Sequence, residues 1–320
     1  MLRFASRSHP KSRTKVRKPK DPRPCPAARP ATDAKRVGEF AQRRPVLVSI
    51  NASPASRRAV LWAATEARLR RTNLIVTNLP VAGGPAARPD ATLDINAVLQ
   101  AGVAAACLRE PGIAVGTRLL HTDGSEQLIT LSQSAAMIVL GIDHAASEAA
   151  ADLLSPVDGR VALQARCPIV VVPARNSNQS PKPRVVVGWD DLAGRRALRA
   201  AAEEATLRDA ALVVVILADG ADDLAAASLR SDRQLPLSEV SKLVGKVLSS
   251  SHAQVEHQYG PQPSSLIAFA RDAELLVISS PPATQWSLHW QSVTADTVRG
   301  ALCPVMLVDP HSRTRAREQP

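Results

Sequence analysis

Short unbroken apolar runs recur along the chain, separated by Ala-rich stretches with helical spacing. The runs predict five strands in the first half, at 46–50, 74–79, 113–120, 136–141 and 168–172. Five more are predicted at 185–189, 211–217, 254–259, 274–279 and 304–308. Runs of Val, Ile and Leu without polar alternation mark a parallel sheet buried on both faces. Between them, Ser56–Ala67 and Gly194–Ala205 place Ala at helical intervals. Strand–helix–strand succession with parallel pairing requires right-handed crossovers and a doubly wound sheet.

The two sets of elements are copies of one another. Val46-Leu-Val-Ser-Ile-Asn51 matches Val185-Val-Val-Gly-Trp-Asp190, and Cys167-Pro-Ile-Val-Val-Val172 matches Cys303-Pro-Val-Met-Leu-Val308. The offset is 139 residues at the first pair and 136 at the last. A repeat of that length is a duplicated domain, not a solenoid unit. The expected fold class is α/β, with two tandem doubly wound five-stranded parallel-sheet domains of flavodoxin-like type. The first spans 46–173 and the second 184–310; the polar, Pro-rich 174–183 links them, and 311–320 is a C-terminal tail. In such sheets a ligand sits beyond the carboxyl ends of the strands, which puts Asn51, Gly141, Asp190 and Ser279 at the mouths of two candidate sites.

Charge changes this picture only at one end. Residues 1–45 hold fourteen Lys/Arg against Asp21, Asp33 and Glu39, an excess of eleven that equals the formal net charge of +11. The folded body is therefore electroneutral. The tail is Pro-rich and lacks apolar periodicity, so it is expected to be disordered. It reads either as an electrostatic arm for nucleic acid or an anionic surface, or as a solvated extension or start-site artefact. No apolar run reaches the length of a membrane span, and no apolar segment follows the basic start as in a secretory signal. Four Cys without a C-x-x-C pair suit a reduced cytoplasmic compartment. Only four Trp, three Phe and one Tyr are present, too few for base-stacking platforms.

The first strand closed by an acid or amide, the helix Arg195-Arg-Ala-Leu-Arg-Ala-Ala-Ala-Glu-Glu-Ala205 and the Cys-Pro that opens each last Val-rich strand resemble the universal stress protein family in tandem form. The resemblance covers about residues 45–310. It implies a stress-response protein without enzymatic activity, acting through protein partners or regulation. It also implies edge pairing of the last strands, Ile169, Val170, Val171 and Val172 against Val305, Met306, Leu307 and Val308. Homo-oligomers are a further possibility the resemblance brings.

Nucleotide-binding members carry G-x-x-G and a later G-(S/T), whose amides and helix N-terminus cradle phosphate. Here Gly141 survives, but His144 holds the second Gly position and Ser155-Pro156 replaces the later pair; Asn51 stands for the acid. In the second half Asp190 is present, Ser279-Ser-Pro-Pro282 replaces G-x-x-G, and the helix entry reads Gln291-Ser292. A Cβ crowds the backbone approach and Pro lacks an N–H, so ATP binding is expected to be weak or lost and no cofactor is required. The alternative is an adenine-nucleotide sensor in the second half, using Asp190, Ser279 and Ser292.

Remaining candidates have plain structural readings. Cys167 and Cys303 are expected to pack as small hydrophobes, with a redox pair as the rival. His121 with Asp123, and His252 with Glu256 and His257, lack metal-ligand spacing. Trp286-Ser-Leu-His-Trp290 is expected in a loop at the second mouth, filling it or covering a ligand. No G-x-S-x-G elbow supports a hydrolase. The charges of the Ala-rich helices, Ala201-Ala-Glu-Glu-Ala205 among them, are expected to be solvated.

Overall fold

A computed structural model describes residues 43–51, 53–78, 95–120, 124–142, 161, 164–174, 182–189, 194–218, 253–259, 263–280 and 288–308. Residues 1–42 of the basic tail, Asp190, Ser155, His144, Trp286, His121, Asp123, His252 and 311–320 lie outside the described residues.

The first half runs β1 (Val46–Ile50), α1 (Pro54–Arg70), β2 (Leu74–Asn78), α2 (Ile95–Arg109), β3 (Val115–Arg118), α3 (Gly124–Ser132), β4 (Met137–Ile142) and β5 (Ile169–Pro173). The second runs β6 (Lys182–Trp189), α4 (Gly194–Arg208), β7 (Ala211–Ala218), β8 (Ala253–Tyr259), α5 (Ser264–Phe269), β9 (Ala273–Ser279), α6 (Leu288–Gly300) and β10 (Val305–Val308). Among the described residues the strands form one ten-stranded sheet in the order β3-β2-β1-β4-β5-β10-β9-β6-β7-β8. Every neighbouring pair is parallel except β5 with β10. Each half is thus a doubly wound parallel sheet whose winding reverses beside its first strand.

β5 and β10 pair Val171 with Val305, Val170 with Met306 and Ile169 with Leu307. Val170 and Met306 are also equivalent in the repeat, so a pseudo-two-fold axis passes between them. The cores ignore the boundary between halves. On one face Val170, Val172, Met306 and Val308 join residues of α1, α2 and α4 in a single apolar cluster. On the other, Ile169, Val171, Val305 and Leu307 join Leu128, Leu266 and Val298.

Local chemistry explains the helix on each first crossover. Ser53, extended at φ −71° and ψ 158°, caps α1 by accepting from the Ser56 N–H, and Pro54 follows it. Ala55, Ala59, Ala63, Ala64 and Ala67 are buried, so the helix lies close on the sheet. α1 ends on Arg71 in the left-handed region at φ 52°, with the Thr72 N–H reaching back to the Ala67 carbonyl at 2.9 Å. α4 ends the same way: Asp209 is at φ 52° and the Ala210 N–H reaches the Ala205 carbonyl at 2.9 Å.

Three boundaries differ from the sequence reading. β6 begins at Lys182, inside the segment read as linker, because Lys182 pairs with Ala273 before the register shifts to Val185 with Leu275. The irregularity accommodates Pro183, which cannot donate to a regular ladder. β3 is shorter than expected and lies at the sheet edge with Gly116, Thr117 and Arg118 exposed, so burial on both faces fails there. α6 begins at Leu288, so the Trp290 end of the Trp-containing segment is helical, and Ser292 falls past the first turn rather than at the helix entry. No Gly or Pro between 283 and 291 stops the helix from starting earlier.

Candidate functional site: two mouths and a group of four charges

At the first mouth the β1–α1 loop satisfies itself. The Asn51 side-chain oxygen accepts from the Ser53 N–H at 3.2 Å, and the Asn51 N–H donates to Ser56 Oγ at 3.3 Å. Ser56 Oγ donates in turn to the Ser53 carbonyl at 2.9 Å. Asn51 is therefore engaged as a turn-former. Gly141, at the end of β4, faces the first turn of α1. A Cβ there would stand 2.4 Å from the Ala55 carbonyl carbon and 2.5 Å from the Ser56 nitrogen. Only a residue without a side chain permits this approach of helix backbone to strand. Deeper in the half, Asn78 donates to the Leu120 carbonyl at 3.0 Å and accepts from its N–H at 2.7 Å, continuing the β2–β3 ladder beyond its last backbone pair.

At the second mouth Ser279 closes β9, at the position that Gly141 holds one residue before the end of β4 in the first half. It is buried at 6% exposure, and its Oγ has no hydrogen-bond partner among the described residues. The next residue is held by the Ser280 N–H donating to the Val308 carbonyl at 2.8 Å. Ser292 is carried by α6, and Asp190 lies outside the described residues.

The seam holds a group of side chains that the sequence reading treated as solvated. Glu66 and Glu204 are fully enclosed, with 0% and 1% side-chain exposure. Arg70 bonds Glu66 on its own helix and Glu204 across the seam; Arg208 bonds Glu204 on its own helix and Glu66 across it. The four are charge-balanced. Burial opposes the charge on each arginine, but the two carboxylates more than offset it and raise both guanidinium pKa values. Burial and the neighbouring Glu66 push Glu204 upward, against Arg70 and Arg208. The Arg208 guanidinium also lies 5.5 Å from the Trp62 ring centroid and, through Nε, 3.9 Å from Glu274. Burial likewise raises Glu274. The signal for this group was present in the sequence as an E-x-x-x-R spacing at 66/70 and again at 204/208. Ala-rich surroundings hid it, since charges on such helices normally face water.

Cys167 and Cys303 are free and buried, and burial pushes both thiols up to about 12. They precede strands that run antiparallel, so the register places them at opposite ends of the seam, roughly 20 Å apart. That distance excludes the redox pair and leaves the packing role. Among the described residues no three His, Cys, Asp or Glu side chains gather as a metal site, and no helix is long and apolar enough to cross a membrane.

No curated protein matches the chain. Among solved structures it is similar to a universal stress protein from Archaeoglobus fulgidus DSM 4304, at 15% identity and a TM-score of 0.56, covering 83% of this chain and 96% of that one. A functionally unknown protein from Pseudomonas aeruginosa PAO1 is similar at 16% identity and a TM-score of 0.53, covering 85% and 95%. At these identities the likeness concerns the fold, and it spans both halves. The sequence profile of the universal stress protein family matches twice, at residues 42–173 and 183–309. The two matches coincide with the two doubly wound halves that meet at Val170 and Met306, and the chain belongs to the universal stress protein family as a tandem of two such domains.

Proposed function

We propose that this tandem universal stress protein works in the stress response without catalysing a reaction, through protein partners or regulation, and that ATP binding is weak or lost in both halves. Family membership carries the stress-response role. The observation that supports loss of the nucleotide is Gly141. Its missing side chain is taken up by the approach of Ala55 and Ser56, leaving α1 packed where a phosphate-cradling glycine would need open backbone. The Asn51 side chain, bonded to Ser53, supports the same reading.

A second reading is favoured by one atom. A buried hydroxyl without a partner is costly, by about 1–3 kcal/mol, and such groups are commonly satisfied by a ligand or water. Ser279 Oγ is in that condition at the second mouth. An adenine nucleotide held there would use Ser279, with Asp190 and Ser292 as further candidates.

Titration of the full chain with Mg-ATP by calorimetry separates the readings. The expected result is no heat at micromolar ATP. Micromolar binding lost in Ser279→Ala and Asp190→Ala, but kept in Asn51→Ala, would replace the first reading with a sensor confined to the second half.

A further inference from the structure

The charge group at the seam belongs to neither mouth, and its geometry says what it does. We infer that Glu66, Arg70, Glu204 and Arg208 form a clasp that ties α1 to α4, so that the two halves fluctuate and open as one unit rather than as two domains on a linker.

Reciprocity carries the argument. Each helix brings one Glu and one Arg at i, i+4 spacing, and each Arg bonds the Glu of its own helix and that of the other. Either pair alone would be an ordinary helix-surface ion pair, and such exposed pairs contribute little. Enclosure by the opposite half changes that balance: a buried ion pair whose partner is withdrawn leaves an uncompensated charge. Separation of the halves would do this to all four residues at once. The directly paired part of the seam is only three residue pairs long, and domains joined by so short a ladder ordinarily move against each other. Arg208 adds a further tie, meeting Trp62 on α1 and Glu274 on β9.

The clasp also bears on the mouths. α1 runs about 25 Å as a single helix from Gly141, against its first turn, to Arg70 in its last. α4 starts at the second mouth, at Gly194, and ends at Arg208. The two helices that border the mouths are therefore fastened to each other at their far ends, and a shift of one is passed to the other.

Amide hydrogen exchange on the full chain tests this. Arg208→Ala, a change in the second half, is expected to speed exchange of the α1 amides in the first half by about tenfold or more. Glu66→Gln should do the same to α4, and denaturant unfolding should split from one transition into two. Arg208→Lys keeps the charge but loses the fork, giving a weaker effect in the same direction if the alanine variant does not fold. Asp272→Asn, which weakens the second half outside the clasp, should loosen α1 as well while the clasp is intact and should no longer do so in the Arg208→Ala background. The inference fails if the effect of Arg208→Ala stays within residues 182–308, if Asp272→Asn leaves α1 untouched with the clasp intact, or if Glu66→Gln and Arg208→Lys are additive.

Discussion

Glu66 and Glu204, one from each half and 138 positions apart in sequence, share the same two guanidiniums at the pseudo-two-fold axis. Two carboxylates enclosed side by side repel each other, and that repulsion is part of what pushes Glu204 upward. The arrangement persists because Arg70 and Arg208 alternate with them. Duplication accounts for the symmetry: a Glu and an Arg one turn apart on an ancestral helix meet their own copies when the last strands pair antiparallel. The seam thus combines an apolar part, centred on Val170 and Met306, with a polar part that is complete only when both halves are present.

Replacing one member of this group should be far worse than replacing all four. Glu204→Ala leaves two buried guanidiniums to one carboxylate and is expected to cost about 3–5 kcal/mol. Exchange of Glu66, Arg70, Glu204 and Arg208 together for Leu and Met is expected to be neutral or stabilising by up to about 4 kcal/mol. Urea unfolding of both variants measures the difference. A quadruple variant as unstable as Glu204→Ala would show that the cost lies in packing and not in unpaired charge.

Gly141→Ala should destabilise the first half by about 1–3 kcal/mol, because the added Cβ meets helix backbone that has no rotamer to change. Thermal unfolding followed by circular dichroism reads the loss. An unchanged midpoint would mean that α1 does not sit against β4 as described, and the case for a surrendered phosphate site would fall with it.

The architecture was legible in the sequence because its signals are local. Apolar runs placed the ten strands to within two residues at each end, except at the start of β6. At β3 the expectation of two buried faces failed because position at the sheet edge is a tertiary fact. At β6 the Pro-rich composition argued for a linker, and only the pairing partner Ala273 shows that the strand has already begun. The candidate site was less legible. Gly141 was readable as a glycine that something approaches, but whether a phosphate or a helix approaches it depends on the docking of α1. The Glu66/Glu204 group escaped because burial at the seam comes from the other half, more than a hundred residues away.

The two left-handed helix ends offer a stabilising change. Arg71 carries a Cβ at φ 52° with no compensating side-chain bond to its own backbone, and glycine adopts that conformation freely. Arg71→Gly is expected to raise stability by about 0.5–1 kcal/mol, seen as a higher melting midpoint. Asp209→Gly should gain less, because a short polar side chain already tolerates the left-handed region.

Thiol chemistry should report the seam. With both thiols buried and raised to about 12, Cys167 and Cys303 are expected to be almost wholly protonated at pH 8 and inert to an alkylating reagent. Labelling of the native chain should therefore spare both and should reach both once denaturant is added. Mass spectrometry of the peptides decides it. Fast native labelling of Cys303 or Cys167 would mean that the strands they precede open on the timescale of the reaction.

Acid should act first on the ion pairs beside β6. The Lys182 ammonium, 2.7 Å from Asp272, together with Arg184, holds the Asp272 carboxyl below its ordinary value. A carboxyl depressed in the folded state contributes stability that is fully present above its unfolded value, about 3.9, and is lost as pH falls through the folded one. Asp272→Asn should therefore lower stability at pH 7 and flatten the loss below about pH 4. Glu204 has the opposite sign: its folded value is raised, so its contribution is present at low pH and fades as pH rises through that value. The wild-type profile should accordingly fall less steeply in acid than Asp272 alone dictates, and Glu204→Gln should steepen it. A profile unchanged by either substitution would place the acid sensitivity in other carboxylates.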